Sequence, residues 1–569
     1  RLAGRVKREP ILVIMGNPPY SGISANTNKW TEKLLKEDVD GAQSYYTVDG
    51  KPLGERNPKL LQDDYVKFLR FAQWKIHKAG QGIVAMITNH SYLDNPTFRG
   101  MRQSLMQTFD EIYVLDLHGN SLKKETAPDG SPDENVFDIR QGVAIAVCVK
   151  NNQAEEHKVF HRDLFGSREQ KYTWLREHAF SVDNYELLTP SKPYYFFVRR
   201  KTEDISRYLE WKKINEIFPV NSVGIVTSRD NFVIDEDKLN LQRKLNLFSD
   251  LSIPNEVIEN SFDVKDTSSW KIEQARKNIS KNVDLSVIKE ILYRPFDKRF
   301  IIYHPAVIER MRLDVMRHML KENLGLLCKR QGKRKPYSYF FITDTICESC
   351  VFESAYANNT VLPLYLYADE NQKDLYTFEK EGRKPNIEQK IYYKLESTYG
   401  QKLSPEEILN YIYGVFYSNI YRETYVDFLK YDFPRVPFTA DSALFQQMAA
   451  LGKRLVDLHL LRSPELEQPI ARFEGKGEDR TITTPKYDPK TKRVWINATY
   501  YFEGITPEVW QYQIGGYQVL DKYLKARKGR SLEDPRHILR VATALAKTIE
   551  VQKEIDALYP QVEENLITF

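Results

Sequence analysis

The sequence has 569 residues, which suggests two to four domains, because domains typically contain about 100–200 residues. Hydrophobic residues make up 41% and charged residues 28%, which is ordinary for a soluble globular protein. No apolar run approaches the roughly 18 residues of a membrane-spanning helix, and no signal-peptide pattern is present. We therefore expect no membrane partner. Because the chain begins with Arg1 rather than Met, we interpret it as a piece of a longer polypeptide.

Four cysteines are too few for a disulfide framework and fit a reducing, cytoplasmic compartment. Cys347 and Cys350 form one C-x-x-C. A zinc site of this kind needs a second cysteine pair at suitable spacing, and the sequence has none. We therefore interpret these cysteines as structural thiols and expect no metal site.

Residues 11–150 alternate between predicted strands and helices, which is typical of an α/β sheet. Continuous apolar runs predict buried strands at residues 11–15, 83–87, 112–117 and 142–149. Helical spacing of apolar residues predicts helices over 61–78 and after Asn95-Pro96, whereas the polar stretches 21–60 and 121–134 predict loops. After about residue 160 strands and helices mix without this rhythm, and amphipathic patterns predict helices at 443–461, 513–530 and 535–558.

The tetrapeptide Asn17-Pro18-Pro19-Tyr20 directly follows the first predicted strand, at the edge where parallel sheets bind ligands. An exocyclic amine such as adenine N6 is a poor nucleophile, because its lone pair is delocalised into the ring. Two acceptors that draw on its N–H groups would localise that lone pair. The side-chain oxygen of Asn17 and the carbonyl of Pro18 are suited to this, since adjacent prolines stiffen the turn. The motif therefore predicts amine methylation.

An aromatic ring beside these acceptors would bind a flipped-out base. Flipping a nucleotide from duplex DNA costs a few kcal/mol, and stacking one base returns about 1–3 kcal/mol. Tyr20 offers one ring, and Phe137, just before the last predicted strand, is the candidate for a second. The alternative for Phe137 is an ordinary core aromatic.

These features resemble the second half of a gamma-type adenine-N6 DNA methyltransferase. The match rests on Asn17–Tyr20, on the segment 82–92, on Phe98-Arg-Gly-Met-Arg102 and on Val136-Phe137. The resemblance implies the second half of a Rossmann-like, S-adenosyl-L-methionine-dependent methyltransferase sheet. It also implies that Asn17, Pro18, Tyr20 and Phe137 hold the flipped adenine. Pro19 completes the motif.

The later segments resemble the C-terminal part of single-polypeptide type I (type ISP) restriction-modification enzymes. The segments concerned are 293–300, 327–331, 433–438 and 515–525. The resemblance implies a mixed α+β target-recognition domain with C-terminal helices, which binds double-stranded DNA. We assign 1–160 to the catalytic half, 161–440 to target recognition, and 441–569 to a helical spacer and the C-terminal part of the recognition domain.

The family's Gly-rich loop for S-adenosyl-L-methionine precedes the Asn-Pro-Pro-Tyr strand, and residues 1–10 contain no such loop. The cofactor-binding residues are therefore unknown. No nucleotide-binding G-x-x-x-x-G-K-S/T is present either. We expect an N-terminal methyltransferase half, and nuclease and helicase parts, to be supplied from outside this sequence, and the piece alone to be inactive.

The net charge of +5 is mild, but residues 291–340 carry twelve Lys or Arg against four Asp or Glu. A local basic excess predicts contact with phosphates, although a solvated charged surface explains it equally well. The candidate DNA-binding residues are Arg229, Arg294, Lys298, Arg299, Arg310, Arg312, Lys329, Arg330, Lys333, Arg334 and Lys335.

Three alternatives remain open from sequence. Asn-Pro-Pro-Tyr also occurs in methyltransferases that act on RNA or on a protein glutamine. A non-catalytic DNA specificity module with a vestigial methyltransferase half is a second alternative, and cytosine-N4 methylation a third. The long region after the catalytic sheet favours the DNA adenine-N6 interpretation.

Overall fold

The structure is a computed structural model, and it describes residues 10–20, 24, 27–54, 58–121, 125–152, 156–199, 207–281, 284–332, 336–352, 358–368, 382–430 and 432–569. The chain divides into two compact units, Arg1–Thr202 and Glu203–Phe569. Of the helices described, none combines the length and hydrophobicity needed to cross a membrane.

In the part of the first unit that the structure describes, six strands form one sheet. The strands are β1 (Val13–Gly16), β2 (Gly82–Asn89), β3 (Glu111–Asp116), β4 (Val143–Lys150), β5 (Lys158–Asp163) and β6 (Glu186–Leu188). The longer helices are α1 (Lys29–Lys36), α2 (Asp64–Ala79), α3 (Arg99–Thr108) and α4 (Arg168–Glu177). Short elements lie at Thr47–Val48 and Lys51–Pro52, which form a hairpin, and at Lys59–Gln62, Ser91–Asp94, Pro96–Phe98 and Val182–Asn184.

The strand order across this sheet is β1-β2-β4-β3-β5-β6. The β1–β2 and β3–β5 pairs are parallel, and β4 runs antiparallel to both of its neighbours. The carboxyl ends of β1, β2, β3 and β5 therefore meet the amino end of β4 at one edge. We call this edge the carboxyl edge of the sheet.

The central strands β2, β3 and β4 are covered on both faces. On one face, Val84 and Met86 of β2 lie in a core with residues of α2 and α3, such as Leu69 and Met101. On the other face, Ile87 packs with Leu115, Val136 and Val143, and aromatic residues of α4 close this smaller core. Strands buried on both faces lose the apolar–polar alternation, which explains their continuous hydrophobic runs.

The predicted order of strands and helices in residues 11–150 is confirmed, with two differences. The stretch 21–60 is not only a loop, because it contains α1 and the hairpin. The first strand, predicted to be buried on both faces, exposes Val13 by 57% and Met15 by 77%. Among the described residues, β1 pairs with β2 alone, so its other edge has no strand against it. The sheet also continues past residue 160 through β5 and β6, so the first unit extends beyond the predicted domain boundary.

The described residues of the second unit form three four-stranded sheets and several two-stranded ones. The first four-stranded sheet has the order Ser222–Val223, Asn359–Pro363, Gly325–Lys329 and Phe340–Thr343. The second has the order Ile234–Asp235, Asp297–Ile302, Ile288–Arg294 and Ile346–Cys347. The third has the order Arg472–Glu474, Tyr501–Glu503, Arg493–Trp495 and Lys486–Asp488. Two-stranded pairs join Tyr365–Tyr367 to Arg383–Pro385, Lys212–Lys213 to Arg435–Val436, and Gln513–Ile514 to Tyr517–Gln518.

The second unit also contains helices. They lie at Ile214–Ile217, Asp230–Val233, Lys238–Ser249, Asn255–Phe262, Ile272–Ser280, Leu313–Met319, Gln389–Tyr399, Pro405–Tyr417, Asn419–Thr424, Val426–Leu429, Ser442–His459, Pro507–Gln511, Val519–Lys525 and Arg536–Val562, with 3-10 turns at Leu285–Val287 and Pro464–Glu467. The predicted helices near 443–461 and 535–558 are confirmed. The predicted helix at 513–530 is wrong in its first part, because residues 513–518 form a hairpin.

The helices Pro405–Tyr417 and Ser442–His459 pack with their backbones close together. A Cβ atom on Gly452 would lie 1.8 Å from the backbone oxygen of Asn410, and one on Gly414 would lie 2.8 Å from that of Met448. Only glycine permits the two backbones to come this close. These helices bury Tyr411, Phe445 and their neighbours in the centre of the second unit.

Candidate functional site at the carboxyl edge

The Asn17–Tyr20 turn leaves β1 at the carboxyl edge of the sheet. Asn17 is exposed, Pro18 is buried and Tyr20 is half-buried against the larger core. The Tyr20 hydroxyl lies 2.6 Å from the Asn17 Oδ1 and 3.0 Å from the Ile87 carbonyl of β2, and donates to these acceptors. Burial raises the pKa of Tyr20 to about 12, so the group stays a phenol and a donor at neutral pH. Tyr20 thereby ties the Asn17 oxygen to the end of β2.

Polar side chains follow β2, β3 and β5 at the same edge. His90 comes directly after β2, and its Nδ1 lies 3.0 Å from the Asp116 Oδ1 at the end of β3. His118 places its Nε2 2.8 Å from the Asp163 Oδ1 at the end of β5. Glu125, in the loop that follows, has its Oε1 3.7 Å from the His118 Nδ1. We call these five residues the edge cluster.

The charges of the edge cluster stabilise one another. Burial alone would lower the pKa of His118, but the carboxylates of Asp163, Glu125 and Asp116 raise it to about 10. Burial likewise opposes ionisation of Asp116, yet His90 and His118 hold the pKa of its carboxyl well below the usual range. The cluster is therefore anionic overall, with His118 as its internal cation.

Phe137 lies before β4 and is half-buried against the smaller core. Tyr20 and Phe137 thus lie at the same edge of the sheet but pack against cores on opposite faces. The segment 134–137 that carries Phe137 is held by α4, which begins with a capping box between Ser167 and Gln170.

Side chains of α4 bind four successive carbonyls of this segment. Lys171 Nζ donates to the Glu134 carbonyl at 2.6 Å, and Arg168 Nε donates to the Asn135 carbonyl at 2.7 Å. The Tyr172 hydroxyl donates to the Val136 carbonyl at 2.6 Å, and Arg168 Nη2 to the Phe137 carbonyl at 3.1 Å. One helix therefore fixes the backbone on which the Phe137 ring is mounted.

The side chains of Lys171 and Asp133 form a fully buried ion pair, with Nζ 2.7 Å from Oδ1. Lys171 also donates to the Leu117 carbonyl, at 2.7 Å. The Asp133 carboxylate accepts from the backbone N–H groups of Gly119 at 2.6 Å and Gly166 at 2.8 Å. A buried ion pair is tolerated when further hydrogen bonds satisfy both partners, as they do here.

Four of the predicted DNA-binding residues lie in ion pairs of 3.2 Å or less within the second unit. Arg229 is buried over the Trp270 ring and pairs with Glu309 at 3.2 Å. The others pair with neighbouring carboxylates: Arg294 with Glu348 at 2.9 Å, Lys298 with Asp344 at 2.8 Å, and Arg299 with Asp297 at 2.8 Å. These cations neutralise acidic side chains of the same unit.

The remaining predicted DNA-binding residues differ in exposure. Arg310 is exposed and Arg312 is half-buried. Lys329 is fully buried with its Nζ 4.9 Å from the Tyr339 ring centroid, and Arg330 is exposed with its Nε 3.7 Å from Asp432. Lys333, Arg334 and Lys335 lie outside the described residues. Of the described candidates, Arg310 is therefore the best placed to reach a phosphate.

The family model of the Type ISP C-terminal specificity domain matches residues 216–557. This match covers more than half of the sequence and falls within the second unit. The chain belongs to the Type ISP C-terminal specificity domain family. No curated protein matched the sequence.

Solved structures resemble this Type ISP chain over almost its whole length. They include the ATP-dependent Type ISP restriction-modification enzyme LlaBIII bound to DNA (TM-score 0.68, 23% identity, 97% of this chain and 37% of that one). A nuclease-deletion mutant of the Type ISP enzyme LlaGI with a DNA substrate mimic gives a TM-score of 0.66, 22% identity, and coverage of 97% and 45%. The DrdV–DNA complex gives a TM-score of 0.67 and 23% identity, and the match covers 98% of this chain and 57% of that one. At these identities the likeness establishes the fold, and the chain spans 37–57% of the length of these relatives.

Sequence reasoning placed Asn17–Tyr20 and Phe137 at strand ends but missed the edge cluster and α4. Asp116 lies near the end of the predicted strand 112–117 and His90 lies three residues after the predicted strand 83–87, so the rule that located Asn17 also applied to them. The role of α4 carried no comparable signal. Arg168, Lys171 and Tyr172 act on backbone carbonyls more than 30 residues away, and no residue type in the sequence marks an acceptor of that kind.

Proposed function

We propose that this Type ISP chain supplies the target-base half of a DNA adenine-N6 methyltransferase together with its sequence-recognition region. The observation that carries the proposal is the exposed Asn17 oxygen, which Tyr20 holds at the carboxyl edge of an α/β sheet. That edge is where α/β folds bind ligands.

Asn17 and Pro18 would act on the target amine as hydrogen-bond acceptors. The Asn17 Oδ1 accepts one hydrogen bond from Tyr20 and keeps a second lone pair for an N–H of adenine N6. The Pro18 carbonyl would accept from the other N–H. Both acceptors are fixed before the base arrives, and fixed dipoles stabilise the positive charge that develops on the amine during transfer.

Tyr20 and Phe137 would contact the faces of the flipped base. Their placement at one edge, packed against cores on opposite faces, supports a role for both rings. Stacking of about 1–3 kcal/mol per base would offset the few kcal/mol that flipping costs. The hydrogen bonds from α4 to the carbonyls of residues 134–137 would keep the Phe137 ring in place when no base is bound.

The methyl donor S-adenosyl-L-methionine supplies an electrophilic methyl group when it is bound. The described residues include no Gly-rich loop after a parallel strand, so we assign none of them to the cofactor. Among the described residues no strand pairs with the other edge of β1, and the face of β1 that carries Val13 and Met15 is exposed, so both support docking of a further strand with residues that cover this face. We propose that the parent polypeptide provides this strand, the cofactor-binding residues and the nuclease and ATP-dependent parts.

Double-stranded DNA is the proposed substrate. The LlaBIII, LlaGI and DrdV structures are DNA complexes, and the match to a specificity domain lies in the second unit. Arg310, as an exposed cation, would contact the phosphate backbone.

The test is transfer of labelled methyl from S-adenosyl-L-methionine to duplex DNA by the parent polypeptide, with nucleoside analysis of the product. We expect N6-methyladenine, loss of that product in Asn17→Ala, and unchanged DNA binding in that variant. Gln107→Ala, an exposed change in α3 of the same unit, is the control and should keep full activity. Simultaneous loss of DNA binding in Asn17→Ala would assign Asn17 a structural role. Label in RNA or protein would show that the substrate belongs to one of those classes.

A non-catalytic specificity module is the second candidate, because the matched family model begins after residue 215 and excludes the Asn17 turn. This candidate predicts site-specific DNA binding by the parent with no methyl transfer. The same labelling experiment separates the two.

A further inference from the structure

Two histidines and a glutamate of the edge cluster converge on one point. Ligand atoms of His90, His118 and Glu125 all lie within 4.8 Å of one another. His90 is 3% exposed, and the His118 Nδ1 is buried without a hydrogen-bond partner among the described residues. The Glu125 Oε1 lies 3.7 Å from that nitrogen, beyond hydrogen-bonding distance. A gap of this size between donor atoms leaves room for an ion.

Each imidazole also uses its other nitrogen in the way that metal-bound histidines do. His90 Nδ1 lies 3.0 Å from the Asp116 carboxylate, and His118 Nε2 lies 2.8 Å from the Asp163 carboxylate. A carboxylate that accepts from the second ring N–H orients the ring and increases the basicity of the ligating nitrogen. Both histidines have such a carboxylate partner. A chance pairing of surface charges does not account for two of them.

We propose that His90, His118 and Glu125 bind a divalent transition-metal ion, Zn²⁺, at the carboxyl edge of the sheet. Two imidazoles and one carboxylate are a ligand set that zinc favours over magnesium or calcium. The ion would replace the proton on His118 Nδ1 and bind there, because a ligating imidazole nitrogen must be deprotonated. It would bind His90 through Nε2, which Asn120 Nδ2 contacts at 3.1 Å. The Asn120 amide or a water molecule would fill a fourth position.

A second trio, Asp116, His161 and Asp163, also has its ligand atoms within 4.8 Å of one another. Its two carboxylates already bind the imidazoles of His90 and His118, so they are better used as supports than as ligands. They also add negative charge around the first trio, which favours a cation there. Sequence reasoning expected no metal site because it considered only cysteine pairs.

The ion would link three separate parts of the edge. His90 follows β2, His118 follows β3, and Glu125 belongs to the loop that leads towards Phe137. A metal bound to all three would fix that loop from one side, while α4 fixes residues 134–137 from the other. Metal binding does not depend on the proposed methyl transfer. The affinity for the ion is therefore measured without a methylation assay.

The test uses the full chain, stripped with a chelator and titrated with ZnCl₂ by calorimetry. Bound metal is then counted after desalting. We expect about one Zn²⁺ per chain, a rise in the thermal midpoint, and no equivalent effect of Mg²⁺. His118→Gln and Glu125→Gln should each weaken binding by at least about 10–100-fold, because even supporting residues have effects of that size. His178→Gln, an exposed histidine stacked on Trp174, should bind as the unaltered chain does.

Two further measurements keep the result interpretable. Cys350→Ser and the Co²⁺ spectrum report whether thiols hold the ion: unchanged affinity and no sulfur-to-metal charge transfer support the histidine site. Circular dichroism shows whether each variant folds, and Glu125→Gln alters the more exposed ligand in case His118→Gln does not fold. Absence of stoichiometric Zn²⁺ in the unaltered chain, or its retention in folded His118→Gln and Glu125→Gln, would overturn the proposal.

Discussion

The two units of this Type ISP chain use charged side chains in different ways. In the first unit, His90, Asp116 and His118 gather at the carboxyl ends of β2 and β3, the two strands that flank β4. In the second unit, Arg229 and Arg299 are spread over loops and strands, and each neutralises a nearby carboxylate. The fold of the first unit therefore predicts where its polar groups meet, whereas basic composition in the second does not predict which cations remain available to a partner.

The buried Lys171–Asp133 pair offers the strongest test of how far the first unit relies on fixed charges. Lys171→Met leaves Asp133 buried and unpaired, and leaves the Leu117 and Glu134 carbonyls without their donor. We expect a loss of about 3–5 kcal/mol in the free energy of unfolding, as for other broken buried pairs. Hydrogen exchange of amides in β3 and β4 measures this loss in the free energy of unfolding. Lys158→Met, at an exposed position of β5, is the control; equal exchange in both variants would contradict the expectation.

The second unit has its own buried carboxylate, Asp297, which accepts from Arg527 and Arg299 at 2.8 Å each. Burial opposes its ionisation, but Arg527 and Arg299 outweigh burial and lower the pKa of Asp297. An unfolded Asp titrates near pH 3.9. The contribution of Asp297 to stability is therefore complete above about pH 4 and is lost as the pH falls through the lowered pKa.

We expect Asp297→Asn to lower the free energy of unfolding at pH 7 by about 1.5–3 kcal/mol, the range for hydrogen bonds to charged groups. The variant should also lose part of the acid-induced decrease in stability that the unaltered chain shows. Urea unfolding at several pH values below 7, followed by hydrogen exchange in residues 288–302, gives both quantities. Glu478→Gln, at an exposed position, should behave as the unaltered chain at every pH.

Arg229 and Arg310 separate structural cations from DNA-binding ones within the second unit. Arg229→Ala removes a buried ion pair with Glu309, and we expect a stability loss of about 2 kcal/mol with little change in the salt dependence of DNA binding. Arg310→Ala removes an exposed charge. Stability should stay constant while the slope of log K against log salt falls by about 1. Filter binding to a duplex at several salt concentrations measures the slope; the reverse pattern would mean that Arg229 faces the DNA.

The sequence predicted the first unit well where chemistry depends on local position. Asn17 could be placed because a tetrapeptide follows an apolar strand, and the strands themselves are marked by their buried residues. Two things escaped. The exposure of Val13 and Met15 depends on what covers that face of β1, which the residues of the strand do not encode. The ion pairs of Arg294 and Lys298 depend on carboxylates up to 54 residues away, so composition alone could not assign those cations.

The smallest expected effect concerns the Tyr20 hydroxyl. Tyr20→Phe keeps the ring that would stack on the base and removes the hydroxyl that links Asn17 to the Ile87 carbonyl. A hydrogen bond of about 0.5–1.5 kcal/mol corresponds to a fall of roughly 2- to 10-fold in the rate of methyl transfer by the parent polypeptide, since about 1.4 kcal/mol is tenfold. The fall should appear in kcat rather than in KM if the hydroxyl positions the Asn17 oxygen.

Single-turnover methylation of a saturating duplex measures this rate, and Tyr393→Phe, an exposed tyrosine of the second unit, is the matched control. A loss as complete as that of Asn17→Ala would mean that the hydroxyl itself is essential to the chemistry. An unchanged rate would mean that the rigid Pro18-Pro19 turn orients Asn17 without help, because two fixed φ angles already restrict the backbone from which its oxygen is presented.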